Sequence, residues 1–170
     1  MHNSISLNPN CTFNNFSVTD NNCFACKAAL EVAEGKWSNY FPLYIFGRNG
    51  IGKTHLLHAI GNHSLMLNES LRVAYLSPAD FYAEFIKQIK SNHHALFTDN
   101  FRDVDILLLD DVHEFAGKEV AQEQLFHIHD LLLYSGKMLV VAADKPPMQI
   151  PQLENRIVTC FIGGVIAEIQ

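Results

Sequence analysis

The sequence predicts a three-layer α/β fold built on a five-stranded parallel sheet, and three observations predict it. Apolar strand-like runs alternate with helix-like segments along the chain, a pattern that right-handed crossovers turn into a parallel sheet. The segment Phe46-Gly47-Arg48-Asn49-Gly50-Ile51-Gly52-Lys53-Thr54 fits the phosphate-loop pattern G-x-x-x-x-G-K-[ST] at every defined position, after one such strand and at the start of one such helix. The most apolar strand, Val104 to Leu109, closes on the adjacent acids Asp110 and Asp111, and open α/β sheets place ligands at the C-terminal ends of their strands.

The elements follow in order. Residues 1–21 are polar and rich in Asn, a lead-in segment anchored by Phe13, Phe16 and Val18, and residues 22–170 form the core domain. Asn22 to Glu34 reads as a helix carrying Phe24, Ala28, Leu30 and Val32, with Gly35 as its stop. Leu43-Tyr44-Ile45-Phe46 is a short buried strand, and Thr54 to Ile60 has apolar residues at helical spacing. Arg72 to Leu76 is a second strand. Ser77-Pro78-Ala79-Asp80 supplies a hydroxyl N-cap, a proline at the first helical position and an acid in the first turn. The helix that starts there is expected to bury Phe81, Phe85, Ile86 and Ile89 and to leave Tyr82 on a freer face. Glu119 to Tyr134 is helical, with Leu125, Phe126, Leu131 and Leu132 inward, and Met138 to Ala143 is a buried strand ending on Asp144. Pro146, Pro147 and Pro151 enforce an extended connection before a short helix, Gln152 to Thr159, and a last strand, Gly164 to Ile169.

The loop carries specific chemistry. Its glycines allow a tight turn in which backbone N–H groups from Gly50 to Thr54 face a polyphosphate, backed by the dipole of the following helix. Lys53 then reaches the β- and γ-phosphates, and Thr54 ligates Mg²⁺ through its hydroxyl. In a phosphate-loop protein, Asp110 holds the Mg²⁺ shell and Asp111 orients or deprotonates the attacking water.

Composition narrows the class. A chain of 170 residues with 48% hydrophobic and 18% charged residues suits one globular domain. No apolar run approaches a membrane span, and the start lacks the features of a signal peptide, which points to the cytoplasm. The formal charge of −6 argues against a strong, autonomous binder of duplex DNA. Cys11, Cys23, Cys26 and Cys160 are too few for a disulfide scaffold, and Cys23-Phe24-Ala25-Cys26 lacks the second pair a zinc site needs. His55 and His58 share a helix face, and His93-His94 and His127-x-His129 are close in sequence. No carboxylate or cysteine is spaced to complete a metal site with them, so they read as packed or solvated.

Beyond the loop, further stretches resemble the AAA+ ATPase core of the bacterial chromosomal replication initiator family, DnaA. They include Leu7-Asn8-Pro9, Thr12 to Phe16, Pro42 to Gly47, His55 to Gly61, Ala116 to Glu119, Gln122-Glu123, Asp144 to Pro147 and Leu153 to Arg156. Nearly the whole chain is covered. The resemblance implies the strand order 5-1-4-3-2 and a cofactor of ATP or ADP with Mg²⁺. It implies nucleotide contacts across Gly47, Arg48, Asn49, Gly50, Ile51, Gly52, Lys53, Thr54 and His55, with Thr54 and Asp110 at the metal and Asp111 catalytic. Asp144 falls at the position that senses the γ-phosphate, and Phe16 and Val18 near the adenine base. Assembly with like subunits or a full-length initiator at a replication origin, and contact with the replicative helicase, are also implied.

Three departures shape the expected function. Four positions after Arg156, where the family carries an arginine finger, this chain has Cys160, and a neutral thiol cannot stabilise developing phosphate charge. In the segment that touches single-stranded DNA in the family, Lys118 is retained, with Tyr82 nearby as a candidate stacking residue, while the second basic position is Val120. The chain ends at Gln170, inside the fifth strand, so the helical lid and the helix-turn-helix that reads duplex DNA are expected to be absent. The expected function is ATP and Mg²⁺ binding with at most slow hydrolysis; the alternative is a non-hydrolysing adaptor that docks on a full-length initiator or helicase.

Overall fold

The computed structural model describes residues 7–90 and 97–170. Helix α1 spans Cys23–Ala33, strand β1 Leu43–Gly47, α2 Lys53–Leu67, β2 Val73–Leu76 and α3 Pro78–Lys90. They are followed by β3 Ile106–Leu109, α4 Glu119–Tyr134, β4 Met138–Ala143, α5 Asn155–Ile162 and β5 Val165–Ile169. All neighbouring strands run parallel, in the order β2-β3-β4-β1-β5, which is the expected 5-1-4-3-2 order read from the other edge. The pair His93-His94 lies outside the described residues.

Strand alternation builds two cores. Tyr44, Leu107, Leu109, Leu139 and Val141 face one side, where they meet Phe81 of α3, Leu125 and Ile128 of α4 and Ile157 and Phe161 of α5. Leu43, Ile45, Leu108, Met138 and Val140 face the other, against Ala25, Ala29 and Val32 of α1 and Leu56, Leu57 and Ile60 of α2. Both faces are covered, and the strands therefore read as unbroken apolar runs. Strand β1 sits between β4 and β5, in the register Ile45↔Ala142 and Gly47↔Ile169. A Cβ on Gly47 would lie 2.3 Å from the Ile169 carbonyl oxygen, so the strand can enter the loop beside β5 only as glycine.

Local chemistry sets most boundaries. Ser77 and Asp80 cap α3 reciprocally: Asp80 N–H donates to Ser77 Oγ and Ser77 N–H to an Asp80 carboxylate oxygen, each at 3.2 Å. Helix α5 begins later than the expected Gln152, because Gln152 takes φ +60° and its carbonyl accepts Gly117 N–H (3.0 Å) and Gln122 Nε2 (3.1 Å) instead of starting a helix.

The expected face of α3 needs correction. Phe81 is buried and Phe85 half-buried, packing on Phe97 with ring centroids 5.0 and 5.2 Å away, but Ile86 and Ile89 are 48% and 62% exposed. The helix covers β2, the edge strand, so only a narrow stripe of it finds a sheet to pack on. Tyr82 is likewise less free than expected. Its ring lies 5.8 Å from that of Phe115, and Lys118 Nζ caps it at 4.6 Å.

These placements give a contrast for chemical denaturation. Leu108→Ala, fully buried in β3, should lower unfolding free energy by about 2–5 kcal/mol. Ile89→Ala should change it by less than about 0.5 kcal/mol, and a loss comparable to that of Leu108→Ala would contradict the outward placement of α3.

Candidate functional site

Strand β1 ends at Gly47 and α2 begins at Lys53, so the phosphate loop is the connection between a central strand and a helix. Lys53 is only 6% exposed, and its ammonium spans the loop, donating to the carbonyls of Gly47 (2.8 Å) and Arg48 (3.1 Å). The first N–H groups of α2 have no acceptor within the helix. Gly52 takes φ +108°, and a Cβ there would also meet the Phe16 ring at 2.8 Å. Loop and lead-in segment are therefore packed on each other.

The lead-in segment is strapped along α2 by that helix's polar side chains. His55 Nε2 donates to the Thr12 carbonyl (2.9 Å), Asn62 Nδ2 to the carbonyls of Asn8 and Cys11 (2.8 Å each), and Asn8 N–H to His58 Nδ1 (3.3 Å). Phe16 stacks near His55, with centroids 5.3 Å apart, while Phe13 sits farther along α2 against His63, and Val18 is exposed. Burial pushes His58 below the usual histidine range, in keeping with a neutral ring that accepts a hydrogen bond. These histidines are packed, as the sequence suggested, and what they hold is the strap.

Asp110 is 2% exposed and fully committed. Its Oδ2 accepts from Thr54 Oγ1 (2.6 Å) and from the Tyr75 hydroxyl (2.9 Å), and its Oδ1 accepts Asp111 N–H (2.9 Å). Asp111 then turns into the left-handed region at φ 45°. Burial, and then the Asp110 charge, push its carboxyl above the usual range. Because β4 lies between β1 and β3, Asp144 at the end of β4 falls between the loop and the two acids. A cleft of about 550 Å³ runs beside the loop, lined by Gly47, Arg48, Asp144, Lys145 and Glu168 among others.

Two further residues belong to this group. His113 presents Nδ1 3.6 Å from Asp144 Oδ1 and 4.0 Å from Asp111 Oδ1, and that buried nitrogen has no hydrogen-bond partner among the described residues. Tyr75 holds Asp110 from the neighbouring strand. Sequence reasoning passed over both. His113 was open to discovery as an ionisable side chain two residues past Asp111, whereas Tyr75 reads as one more aromatic in an edge strand.

Gly47 to Thr54, His55, Phe16, Asp110, Asp111 and Asp144 thus gather at the C-terminal ends of β1, β3 and β4. Lys118, Val120 and Tyr82 lie apart, at the starts of α4 and α3, with Lys118 and Val120 exposed. Cys160 is half-buried in α5, its thiol pushed up to about 11 by burial and by Asp130, and it stays uncharged near neutrality. A glycine-rich loop open to solvent, a buried lysine lying across it and a hydroxyl paired with a carboxylate suit a phosphorylated ligand with a divalent cation.

Asp111 also sets a pH dependence. Its folded-state carboxyl binds protons more tightly than the unfolded one, so ionising it weakens folding as pH rises from its ordinary value through the raised one. Asp111→Asn should therefore be more stable than wild type at about pH 7 and lose that advantage toward about pH 4; urea unfolding at both values checks this.

Comparison with known proteins agrees with this geometry. The family model of the bacterial DnaA ATPase domain matches residues 7–168. The chromosomal replication initiator protein DnaA of Corynebacterium aurimucosum is 42% identical over 165 residues, 97% of this chain; the chain spans 30% of that protein's length. Domain III of DnaA from Thermotoga maritima superposes with a TM-score of 0.92 at 39% identity, covering 97% of this chain and 69% of that one. AMPPCP-bound DnaA from Aquifex aeolicus superposes at 0.89, and a DnaA bound to AMPPCP and single-stranded DNA at 0.88. Both are 37% identical to this chain and cover 96% of it and 51% of their own. With its fold, strand order and loop accounted for over 97% of its length, the chain belongs to the bacterial DnaA ATPase domain family.

Proposed function

We propose that this chain is the nucleotide-binding AAA+ core of a DnaA-like replication initiator, which holds ATP or ADP with Mg²⁺ and hydrolyses ATP slowly. The observation that carries the reading is the Thr54–Asp110 pair, 2.6 Å apart, beside a lysine that lies across the phosphate loop. Thr54 Oγ1 and Asp110 Oδ2 are hard oxygen donors on one spot, which suits Mg²⁺. Lys53 would exchange the carbonyls of Gly47 and Arg48 for phosphate oxygens, a better partner for an ammonium. The bound cation would neutralise charge on the β- and γ-phosphates. Asp111 would orient a water, Asp144 would lie at the γ-phosphate side, and Phe16 would pack near the base. The AMPPCP bound to two DnaA relatives supports nucleotide binding by this chain.

Slow turnover rests on Cys160. Loss of an arginine finger costs on the order of 10³ in rate. If Cys160 stands at that position, Cys160→Arg should raise hydrolysis at high protein concentration about ten-fold or more. The same residue favours the second reading, an adaptor that binds like subunits or a full-length initiator without turnover, and an unchanged rate in Cys160→Arg would favour it further. Single-stranded DNA, present with one DnaA relative, would meet Lys118 here, with a weak grip because Val120 is uncharged and the Tyr82 ring is already covered by Lys118 and Phe115.

Titration with a fluorescent ATP analogue tests nucleotide binding. Wild type should saturate and Lys53→Ala should not; equal binding by the two would contradict the proposal.

A further inference from the structure

The donors around Asp110 are unequal in what a metal would do to them. Thr54 donates its hydroxyl proton to Oδ2, and its oxygen keeps lone pairs that can ligate Mg²⁺ while that bond is held, so Thr54 would belong to the metal's own ligand set. Two donors come from outside that set: Asp111 N–H on Oδ1 and the Tyr75 hydroxyl on Oδ2, the oxygen that faces Thr54. Among the described residues, Tyr75 is the one that donates to the Thr54-facing oxygen from outside that set.

The ring that carries this hydroxyl is itself held in place. Tyr75 stacks on His58 with centroids 4.3 Å apart and 33° between planes. His58 is buried on α2 and is fixed in turn by Asn8 N–H at Nδ1. The parallel register Tyr75↔Leu108 sets the ring one residue short of the end of β3, from which its hydroxyl reaches Asp110. Hydrogen-bond partners that orient a ligating carboxylate commonly change metal affinity by about ten- to a hundred-fold when removed.

We infer that Tyr75 is a positioning residue for the metal site: its hydroxyl aims Asp110 Oδ2 at the cation, and its ring is held on target by His58. This rests on the proposed Mg²⁺ role of Thr54 and Asp110. Tyr75 would act through Asp110 and not as a ligand itself, so its effect falls on the metal and leaves the phosphate loop's own grip intact.

The test is Mg²⁺ titration of the full chain with a fixed concentration of a fluorescent ATP analogue, comparing wild type with Tyr75→Phe, which removes one oxygen and keeps the stacked ring. Tyr75→Phe should bind the analogue as wild type does in excess EDTA, yet need about ten-fold more Mg²⁺ to reach its midpoint. Tyr75→Leu should show the same shift, enlarged, because the ring is lost as well. An unchanged Mg²⁺ midpoint in Tyr75→Phe, with wild type plainly Mg²⁺-dependent, would overturn the inference alone. So would equal weakening with and without Mg²⁺, the mark of a merely structural residue. Wild-type binding indifferent to Mg²⁺ would overturn the metal reading and this inference with it.

Discussion

The hydrogen bond from Thr54 Oγ1 to Asp110 Oδ2 joins the first turn of α2 to the end of β3, and the geometry of the site depends on it. A carboxylate left unpaired at 2% exposure would be strongly disfavoured, so Asp110 must collect donors. It collects them from three places: the helix after β1, the edge strand β2 and the backbone of Asp111. Topology makes this feasible. Helix α2 leaves β1 and returns the chain to β2 at the far edge, crossing β4 and β3 on the way, so that its first turn passes near the end of β3. The strand left between them, β4, delivers Asp144 to the same rim.

Much of this was legible from residues alone. Helix α4 and strand β4 have the bounds their patterns suggested, Glu119–Tyr134 and Met138–Ala143, because periodicity and turn chemistry agree there. The loop, Asp110 and Asp111 were legible because their chemistry is local in sequence. What was not legible depends on register and edges. That Tyr75 reaches Asp110 follows from the pairing of β2 with β3, and that His113 comes within 3.6 Å of Asp144 follows from β3 lying beside β4. Neither is a spacing within one segment. The outward Ile86 and Ile89 misled for a related reason, since an apolar stripe says that a helix face can be buried and not how much sheet is there to bury it. Gln152 looked like the start of a helix until its carbonyl proved to be committed to Gly117 and Gln122.

The lead-in segment gains meaning from the structure. By composition it is a polar, Asn-rich stretch, and yet Asn8, Cys11 and Thr12 are tied through their backbones to His58, Asn62 and His55. The strap ends with Phe16 over Gly52. Side chains on one face of α2 thus serve two tasks: they seat the segment that borders the loop, and through His58 they support the tyrosine that holds Asp110. One helix thus joins the lead-in segment beside the loop to the contacts of Asp110, and a change in either is expected to be felt by the other.

A structure determined with Mg²⁺ and a non-hydrolysable ATP analogue tests the central claim most directly. The account predicts a cation against Thr54 Oγ1 and beside Asp110, with Lys53 Nζ moved from the Gly47 and Arg48 carbonyls onto phosphate. A nucleotide bound elsewhere, with no cation at Thr54 and Asp110 and the Lys53 contacts intact, would contradict it.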